Sequence, residues 1–265
     1  LALEAVLAEL RPIPPAVLGA LESARAARHI LPSDGEHTQP ASIAPPSEKS
    51  ANAPLIEAKH LVFGYHTDIP IVQNLSLTIC RGEHTAIIGE SGAGKTTLAS
   101  LLLRLWEPDA GTISYDGVPH TKLSPEASRA YFGAALQGSW LFSASIRDNF
   151  LRLRGDISES AIWHALETAQ LADVVRALHA GLDEPLGMNA SRLSGGQRSR
   201  LLTALALAGN APILLLDEPT AGLDAACGAR LITSVLADAD ARGATLIVIT
   251  HDLPLLNKMK QVIKL

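Results

Sequence analysis

One pattern, at residues 89–96, constrains the possible fold more than any other part of the sequence. It reads Gly-Glu-Ser-Gly-Ala-Gly-Lys-Thr and matches G-x-x-x-x-G-K-[ST] completely. Its glycines let backbone N–H groups converge on phosphate oxygens, Lys95 supplies positive charge, and the Thr96 hydroxyl can bind Mg²⁺. An ordinary glycine turn is the alternative. An apolar run at 85–88 and a helical pattern at 97–105 flank the loop, and this order favours phosphate binding because a helix N-terminus attracts anions.

Strands and helices alternate from about residue 54 onward. The apolar runs 86–88, 213–216 and 245–249 are short and are separated by long helical patterns. This alternation predicts an α/β fold with a buried, mostly parallel sheet flanked by helices. Partial alternation of apolar and polar residues at 55–62 and 71–79 predicts an antiparallel β edge subdomain. Apolar residues at helical spacing over 143–180 predict an inserted α-helical lobe at about 141–200.

Charge and cysteine content exclude several classes of protein. There are 22 Lys and Arg residues against 27 Asp and Glu residues, a net charge of −5, and no run of five like charges. A nucleic acid is therefore not an expected partner. The two cysteines, Cys80 and Cys227, cannot form a disulfide framework or a zinc cluster. The uncharged, strongly apolar stretch 201–216 falls short of the roughly 20 apolar residues of a membrane span.

The first 53 residues have a different character. Apolar side chains recur at helical spacing over residues 1–31 but are interrupted by Pro12, Pro14 and Pro15, so two short helices are expected there. Residues 32–53 are rich in Pro and Ser, which is typical of a linker. The sequence opens at Leu1 with no leader signal, and we interpret it as part of a longer protein.

A second chemical pattern is the apolar strand 213–216 followed by Asp217 and Glu218. Ligands of open α/β sheets bind at the carboxyl ends of the strands, where Asp217 could hold the Mg²⁺ of a nucleotide. Glu218 could then orient or deprotonate an attacking water. Acidic residues also end strands simply as solvated caps, so this pattern gains its weight from the phosphate loop.

A third pattern, Leu-Ser-Gly-Gly-Gln at residues 193–197, precedes a strongly helical stretch. Two glycines after a serine at a helix start can form an anion-binding nest. The alternative is a serine N-cap in a glycine turn. Taken alone, the pattern favours the N-cap.

The order of these motifs, followed by Gly222-Leu-Asp224 and by Thr250-His251, resembles the nucleotide-binding domain of ABC transporters, and the match covers residues 54–265. The resemblance implies a P-loop NTPase core of the RecA-like type that binds ATP and Mg²⁺. It implies catalytic roles for Glu218, His251 and Lys95. The implied metal ligands are Thr96, Gln137 and Asp217.

The resemblance also implies a set of nucleotide contacts, among them an aromatic ring stacked on adenine at Tyr65. Tyr65 could instead be an edge-strand aromatic, Gln137 a turn residue, and His251 a cap on its strand. Trp106, Trp163 and Cys80 are interpreted as packing residues. The implied nucleotide contacts are Tyr65, Gly89, Glu90, Ser91, Gly92, Ala93, Gly94, Lys95, Thr96, Thr97, Gln137, Ser194, Gly195, Gly196 and Gln197.

In this family the signature at 193–197 faces the phosphate loop of another subunit. The resemblance therefore implies a head-to-tail dimer with a second ABC domain, as a homodimer or a heterodimer, with Asp224 at the dimer contact. It also implies a transmembrane domain in the same or a partner chain. Hydrolysis would open the ATP-bound dimer.

Residues 140–149 are similar to the exporter-type stretch that meets the transmembrane region, and 1–31 to the tail of an exporter's last transmembrane helix. The expected function is an ATPase domain that powers export across the bacterial inner membrane, from its cytoplasmic face. The sequence around 191–194 looks most like that of the CydC type of heterodimeric thiol (cysteine or glutathione) exporter. A soluble ABC-type ATPase of translation or DNA repair is the alternative, and a GTPase or small-molecule kinase shares only the phosphate loop.

Two departures from the family pattern stand out. Exporter domains usually carry a glycine- and acid-rich segment before the signature, whereas residues 187–191 here read Gly-Met-Asn-Ala-Ser. The helix after the signature carries Leu205 where the family has an arginine. Both departures leave the expected ATP ligands untouched.

Overall fold

The structure, a computed structural model, describes residues 54–65 and 69–265. The two expected N-terminal helices (1–31) and the linker (32–53) lie outside these residues. The strands described are β1 (Pro54–Phe63), β2 (Val72–Cys80), β3 (Thr85–Ile88), β4 (Ala110–Tyr115), β5 (Val118–Pro119), β6 (Phe132–Ala135), β7 (Ile213–Asp217), β8 (Thr245–Ile249) and β9 (Gln261–Lys264). The α-helices described are α1 (Lys95–Leu102), α2 (Pro125–Arg129), α3 (Ile146–Leu153), α4 (Glu159–Thr168), α5 (Ala172–Arg176), α6 (Gly195–Leu207), α7 (Ala225–Arg242) and α8 (Leu253–Leu256).

The central sheet has the strand order β6-β7-β8-β3-β9, and every neighbouring pair is parallel. This confirms the predicted parallel sheet. Successive residues of β7 point into two different cores: Leu214 and Leu216 pack with the helical lobe, while Ile213 and Leu215 pack on the opposite face. Burial on both faces explains why these strands are continuous apolar runs and do not alternate with polar residues.

A second sheet, of order β2-β1-β4-β5, is antiparallel throughout and confirms the predicted edge subdomain. Its buried face and the helix α1 share one apolar core with the central sheet. Large buried members of that core are Leu55, Ile56, Leu61, Ile79, Ile113 and Tyr115. Because α1 lies in this core, the antiparallel sheet is attached to the helix that follows the phosphate loop.

The predicted helical lobe is confirmed by α3, α4 and α5, which pack with α6 around Ile146, Phe150, Ile162 and Leu166. Serines begin α3 and α4: Ser145 forms a capping box with Asp148, and Ser158 accepts the N–H of Ala161. Such caps satisfy backbone N–H groups that have no partner inside the helix. In the part of the chain that the structure describes, no helix is both long enough and apolar enough to span a bilayer.

Two strands of the central sheet, β6 and β9, were not assigned from the sequence. The strand β6 contains Gly133 and Ala134, so it has neither the branched side chains nor the apolar run of the other strands. A Cβ at Gly133 would collide with the carbonyl oxygen of Ala206 in α6. The close approach of this helix to the sheet therefore requires the small residue that obscures the strand.

Strand pairing aligns the chemical motifs. Ile249 of β8 pairs with Asp217 of β7 on one side and with Ile87 of β3 on the other. The carboxyl ends of the three strands therefore lie at the same edge of the sheet. The phosphate loop, the carboxylates of Asp217 and Glu218, and Thr250-His251 all lie at that edge.

Candidate functional site

The phosphate loop connects β3 to α1. Gly92 and Gly94 have φ angles of +85° and +90°, in the left-handed region that residues with a Cβ rarely adopt. The Lys95 ammonium donates hydrogen bonds to the carbonyls of Gly89 and Glu90, both at 2.8 Å. The ammonium is thus folded back over the loop beside the N-terminus of α1, a position suited to phosphate oxygens.

The end of β7 contacts the start of α1 through side chains. The Thr96 hydroxyl donates to Asp217 Oδ2 at 3.2 Å, and the backbone N–H of Gln137 donates to the same oxygen at 3.4 Å. The structure therefore brings together the three residues expected to be metal ligands, although this contact of Gln137 is made by its backbone.

Asp217 is 8% exposed. Burial raises the pKa of its carboxyl, and the hydrogen bonds from Gln137 and Thr96 oppose that rise only in part. A hydroxyl oxygen and a buried carboxylate at this separation are hard oxygen donors, the kind that Mg²⁺ prefers in nucleotide sites. Among the described residues no group of three or more His, Cys, Asp or Glu could hold a metal. In a nucleotide site, phosphate oxygens and water supply the further ligands of such an ion.

Glu218 and His251 lie against each other. Glu218 has a φ of +50°, a strained conformation for a residue with a Cβ that costs roughly 1–3 kcal/mol. Its backbone N–H donates to the carbonyl of Ile249 at 2.9 Å, which holds the turn. Glu218 Oε1 lies 2.8 Å from His251 Nδ1. The imidazole is 82% exposed, whereas the Glu218 side chain is 17% exposed. A largely solvent-facing ring therefore contacts a mostly enclosed carboxylate.

Tyr65 lies at the end of β1 with 48% of its surface exposed. Its hydroxyl is 3.4 Å from Thr97 Oγ1, directly after the phosphate loop. Its ring makes edge contacts with Phe63 and with Trp106. Sequence reasoning treated Trp106 only as a packing residue, because nothing in the local pattern connects it to a residue 41 positions earlier.

The helix α6 begins at the signature. Ser194 Oγ accepts the N–H of Gln197 at 3.2 Å, and Gln197 Oε1 accepts the N–H of Ser194 at 2.9 Å. This capping box is the N-cap that the pattern taken alone favours. A Cβ at Gly196 would lie 2.8 Å from the Gly222 carbonyl oxygen, whereas a Cβ at Gly195 would meet nothing within 4 Å. Gly196 thus serves the packing of this chain, and Gly195 faces open space.

Two cavities meet at Glu218. A cavity of about 580 Å³ lies between the segment that contains Gln137, the start of α6 at Gly195, and Asp217. A second cavity of about 330 Å³ is lined by residues that include Asp224 and His251. Asp224 caps α7, since its Oδ1 accepts the N–H of Cys227 at 2.8 Å. Gly195 and Asp217 therefore line the larger cavity, and Glu218 lines both.

The two departures from the family pattern are accommodated within this chain. Asn189 Oδ1 accepts the N–H of Leu141 at 3.3 Å, which ties the segment before the signature to the segment after Gln137. Leu205 packs against the apolar core of the helical lobe, where no cation is required.

Comparisons with known proteins agree on one family. The family model described as ABC transporter matches residues 72–221. The ATP-dependent lipid A-core flippase of Saccharophagus degradans is 39% identical over 208 residues, which are 78% of this chain and 35% of that protein. The ATP-binding cassette sub-family B member 10, mitochondrial, of Mus musculus is 37% identical over 197 residues, 73% of this chain and 27% of that protein.

A solved structure of a bacterial Atm1-family ABC exporter with ATP bound has a TM-score of 0.76 and 34% identity, over 82% of this chain and 38% of that one. The chain thus spans about a third of the length of the curated relatives it matches.

Replacing Asp217 with asparagine tests the cost of burying its charge. Because the folded pKa is raised, the stability that this group contributes is present below about pH 4 and is lost as the pH rises through the folded pKa. We expect Asp217→Asn to have a higher free energy of unfolding than wild type at pH 7, with a smaller difference at pH 4. Urea denaturation without nucleotide at both pH values measures this.

Asp224→Asn is the matched control of opposite sign, because the hydrogen bond from the Cys227 N–H lowers the pKa of Asp224. Its charged form stabilises the fold above the unfolded pKa, so this variant should lose stability at pH 7 and not at low pH. An Asp217→Asn variant that is less stable than wild type at pH 7 would contradict the burial argument.

Proposed function

Because this chain belongs to the ABC transporter family, as the ATP-hydrolysing domain of its exporter-type members, we propose that it binds MgATP at the edge of its central sheet and that hydrolysis there powers export across a membrane. One observation carries the proposal. Lys95, Thr96, Asp217 and Glu218 come from two strand ends and meet at that edge, with Thr96 and Asp217 in hydrogen-bond contact.

The phosphate loop with α1 binds the phosphates of the nucleotide, and Tyr65 binds its base. The backbone N–H groups of the phosphate loop and the Lys95 ammonium bind the β- and γ-phosphates, and the dipole of α1 adds to this attraction. The exposed ring of Tyr65 stacks on adenine. Thr96 and Asp217 would hold Mg²⁺, with Gln137 beside them. When bound, this ion neutralises phosphate charge.

Hydrolysis requires a water beyond the γ-phosphate. The water oxygen attacks the γ-phosphorus, the bond from phosphorus to the leaving ADP oxygen breaks, and the Glu218 carboxylate takes up the proton that the water loses. His251 Nδ1, at 2.8 Å from Glu218 Oε1, orients that carboxylate. The strained backbone at Glu218 supports the role, since strain of this kind concentrates at functional sites.

Glu218→Gln removes the base and keeps the shape of the side chain. We expect MgATP to bind with nearly wild-type affinity and the ATPase rate of the full-length protein to fall by roughly 10²- to 10⁴-fold. Steady-state ATPase assays and calorimetry measure the two quantities. Glu57→Gln, at a partly buried position of β1 whose carboxylate pairs with Lys59, is the control with unchanged activity. Near wild-type turnover in Glu218→Gln would remove Glu218 from the mechanism.

We also propose a head-to-tail dimer in which the signature of one domain completes the ATP site of the other. The open space at Gly195 supports this, because a glycine that its own chain leaves uncovered at a helix N-terminus can approach a phosphate from another subunit. Ser194 and Gln197 hold the helix start in shape for that contact.

A pair of glycine variants separates folding from partnership. Gly195→Asp fits this chain, and an acidic residue at a helix start does not destabilise the helix. It should leave the ATP affinity of the 265-residue chain unchanged, yet lower the ATPase rate of the full-length protein by about 10²-fold or more through repulsion of the partner's γ-phosphate. Gly196→Ala should instead lower the free energy of unfolding. Weakened ATP binding by the monomeric Gly195→Asp chain would mean that the signature acts within its own subunit.

The domain arrangement follows from the same proposal. The ATPase domain would comprise residues 54–265, attached by the linker 32–53 to helices at 1–31 that continue from a transmembrane region. The ATPase domain would lie on the cytoplasmic face of the bacterial inner membrane. The relatives favour this exporter over a soluble ATPase of translation or DNA repair, since those named here include a flippase and an exporter.

Two substrate classes are candidates for the exporter. The similarity around residues 191–194 favours a small thiol such as cysteine or glutathione. The identity of 39% to a lipid A-core flippase favours a lipid. The transmembrane region contacts the substrate, so the full-length protein in proteoliposomes is the sample to test.

We expect glutathione or cysteine to raise the ATPase rate of the reconstituted protein, because substrate binding favours closure of the two ATPase domains. S-methylglutathione, which lacks the free thiol, is the matched control. Stimulation by lipid A alone would support the second candidate and refute the thiol. Stimulation by neither would refute both.

A further inference from the structure

The Tyr65 ring is part of an aromatic group with Phe63 and Trp106. Its centroid is 5.2 Å from that of Phe63 and 5.6 Å from that of Trp106, with interplanar angles of 84° and 82°. Phe63 and Trp106 also contact each other, at 6.0 Å. Phe63 is 4% exposed, so it anchors the group in the core, while about half of Tyr65 stays open to solvent. Perpendicular aromatic pairs of this kind attract each other beyond simple burial.

The backbone beside Tyr65 is held by the same segment that carries Trp106. Residues 103–109 connect α1 to β4. Within this segment, Asp109 Oδ2 accepts the N–H of Gly64 at 2.9 Å, and the Asp109 N–H donates to the carbonyl of Val62 at 2.9 Å. One short connection therefore fixes both the ring of Tyr65 and the turn that leads to it.

The helix α1 joins this connection to the phosphate loop. The helix α1 starts at Lys95, packs its buried residues into one core, and ends at Leu102, where the segment that holds Tyr65 begins. The Tyr65 hydroxyl, at 3.4 Å from Thr97 Oγ1, contacts the first turn of the same helix. The aromatic group of Phe63, Tyr65 and Trp106 is thus joined to both ends of α1, the helix that begins at the phosphate loop.

We propose that Trp106 is a positioning residue that holds the Tyr65 ring at a set distance from the phosphate loop, so that the base and the phosphates of one nucleotide can be bound together. This proposal rests on the proposed function, in which Tyr65 stacks on the base. Trp106 acts on the base through Tyr65 and does not contact the phosphates. It therefore contributes to the affinity for a nucleotide and contributes nothing to the affinity for a bare triphosphate.

Calorimetry on the 265-residue chain tests this, with MgATP and magnesium tripolyphosphate as ligands. Trp106→Ala should weaken MgATP binding by about 2- to 10-fold, because the contact energy of one aromatic pair corresponds to roughly that change in affinity. Tripolyphosphate binding should be unchanged. Trp106→Phe should recover most of the affinity. Trp163→Ala, whose ring contacts Arg176 in the helical lobe, is the matched control without effect.

A double variant separates this proposal from the proposed function. In a Tyr65→Ala background, Trp106→Ala should cause no further loss of MgATP affinity. If Tyr65→Ala weakens MgATP binding but Trp106→Ala does not, the positioning role is wrong and the stacking role stands. If Tyr65→Ala has no effect, the stacking role is wrong. Equal losses for MgATP and tripolyphosphate in Trp106→Ala would show general damage to the fold and overturn the proposal.

Fluorescence supplies a second readout. In a chain with Trp140→Phe and Trp163→Phe, Trp106 remains as the tryptophan, and its emission should change on saturation with MgATP but not with tripolyphosphate. An emission that does not respond to MgATP would contradict the contact between base, Tyr65 and Trp106.

Discussion

The pairing of β8 with both β3 and β7 is the interaction on which the rest of the structure depends. It places Ile249 between Ile87 and Asp217, so that three separate segments of the chain end at one level. Parallel strands bring their carboxyl ends to the same edge, and there the backbone stops pairing and can present groups to a ligand. The phosphate loop, the carboxylates and the histidine are chemically useful together only because of this register.

The site carries local costs that the two apolar cores offset. Glu218 holds a left-handed backbone conformation, and Asp217 is a carboxyl kept largely from water. Each feature opposes folding by itself, and each suits the role proposed for the residue: a fixed base for Glu218 and a dry oxygen ligand for Asp217. The strands β7 and β8 are buried on both faces, which supplies the stability that tolerates them.

The signature shows how one short segment serves two purposes. Ser194 and Gln197 complete the start of α6, and Gly196 permits that helix to approach Gly222. These roles belong to the fold of this chain alone. Gly195 has no such role, and its freedom is what a neighbouring phosphate would need. Residues 194–197 can therefore cap the helix α6 and also present the surface proposed to bind a phosphate.

The sequence by itself determined the local elements and the chemistry they carry. The phosphate loop, the strands at 213–217 and 245–249 and the cap at Ser194 are read from neighbouring residues, because turns, caps and apolar runs depend on short-range preferences. Tertiary structure decided which distant residues contact each other. The contact of Glu218 with His251, that of Tyr65 with Trp106 and the different surroundings of Gly195 and Gly196 depend on packing between distant segments. No local pattern records such contacts, since they arise only when the sheets and helices fill one interior.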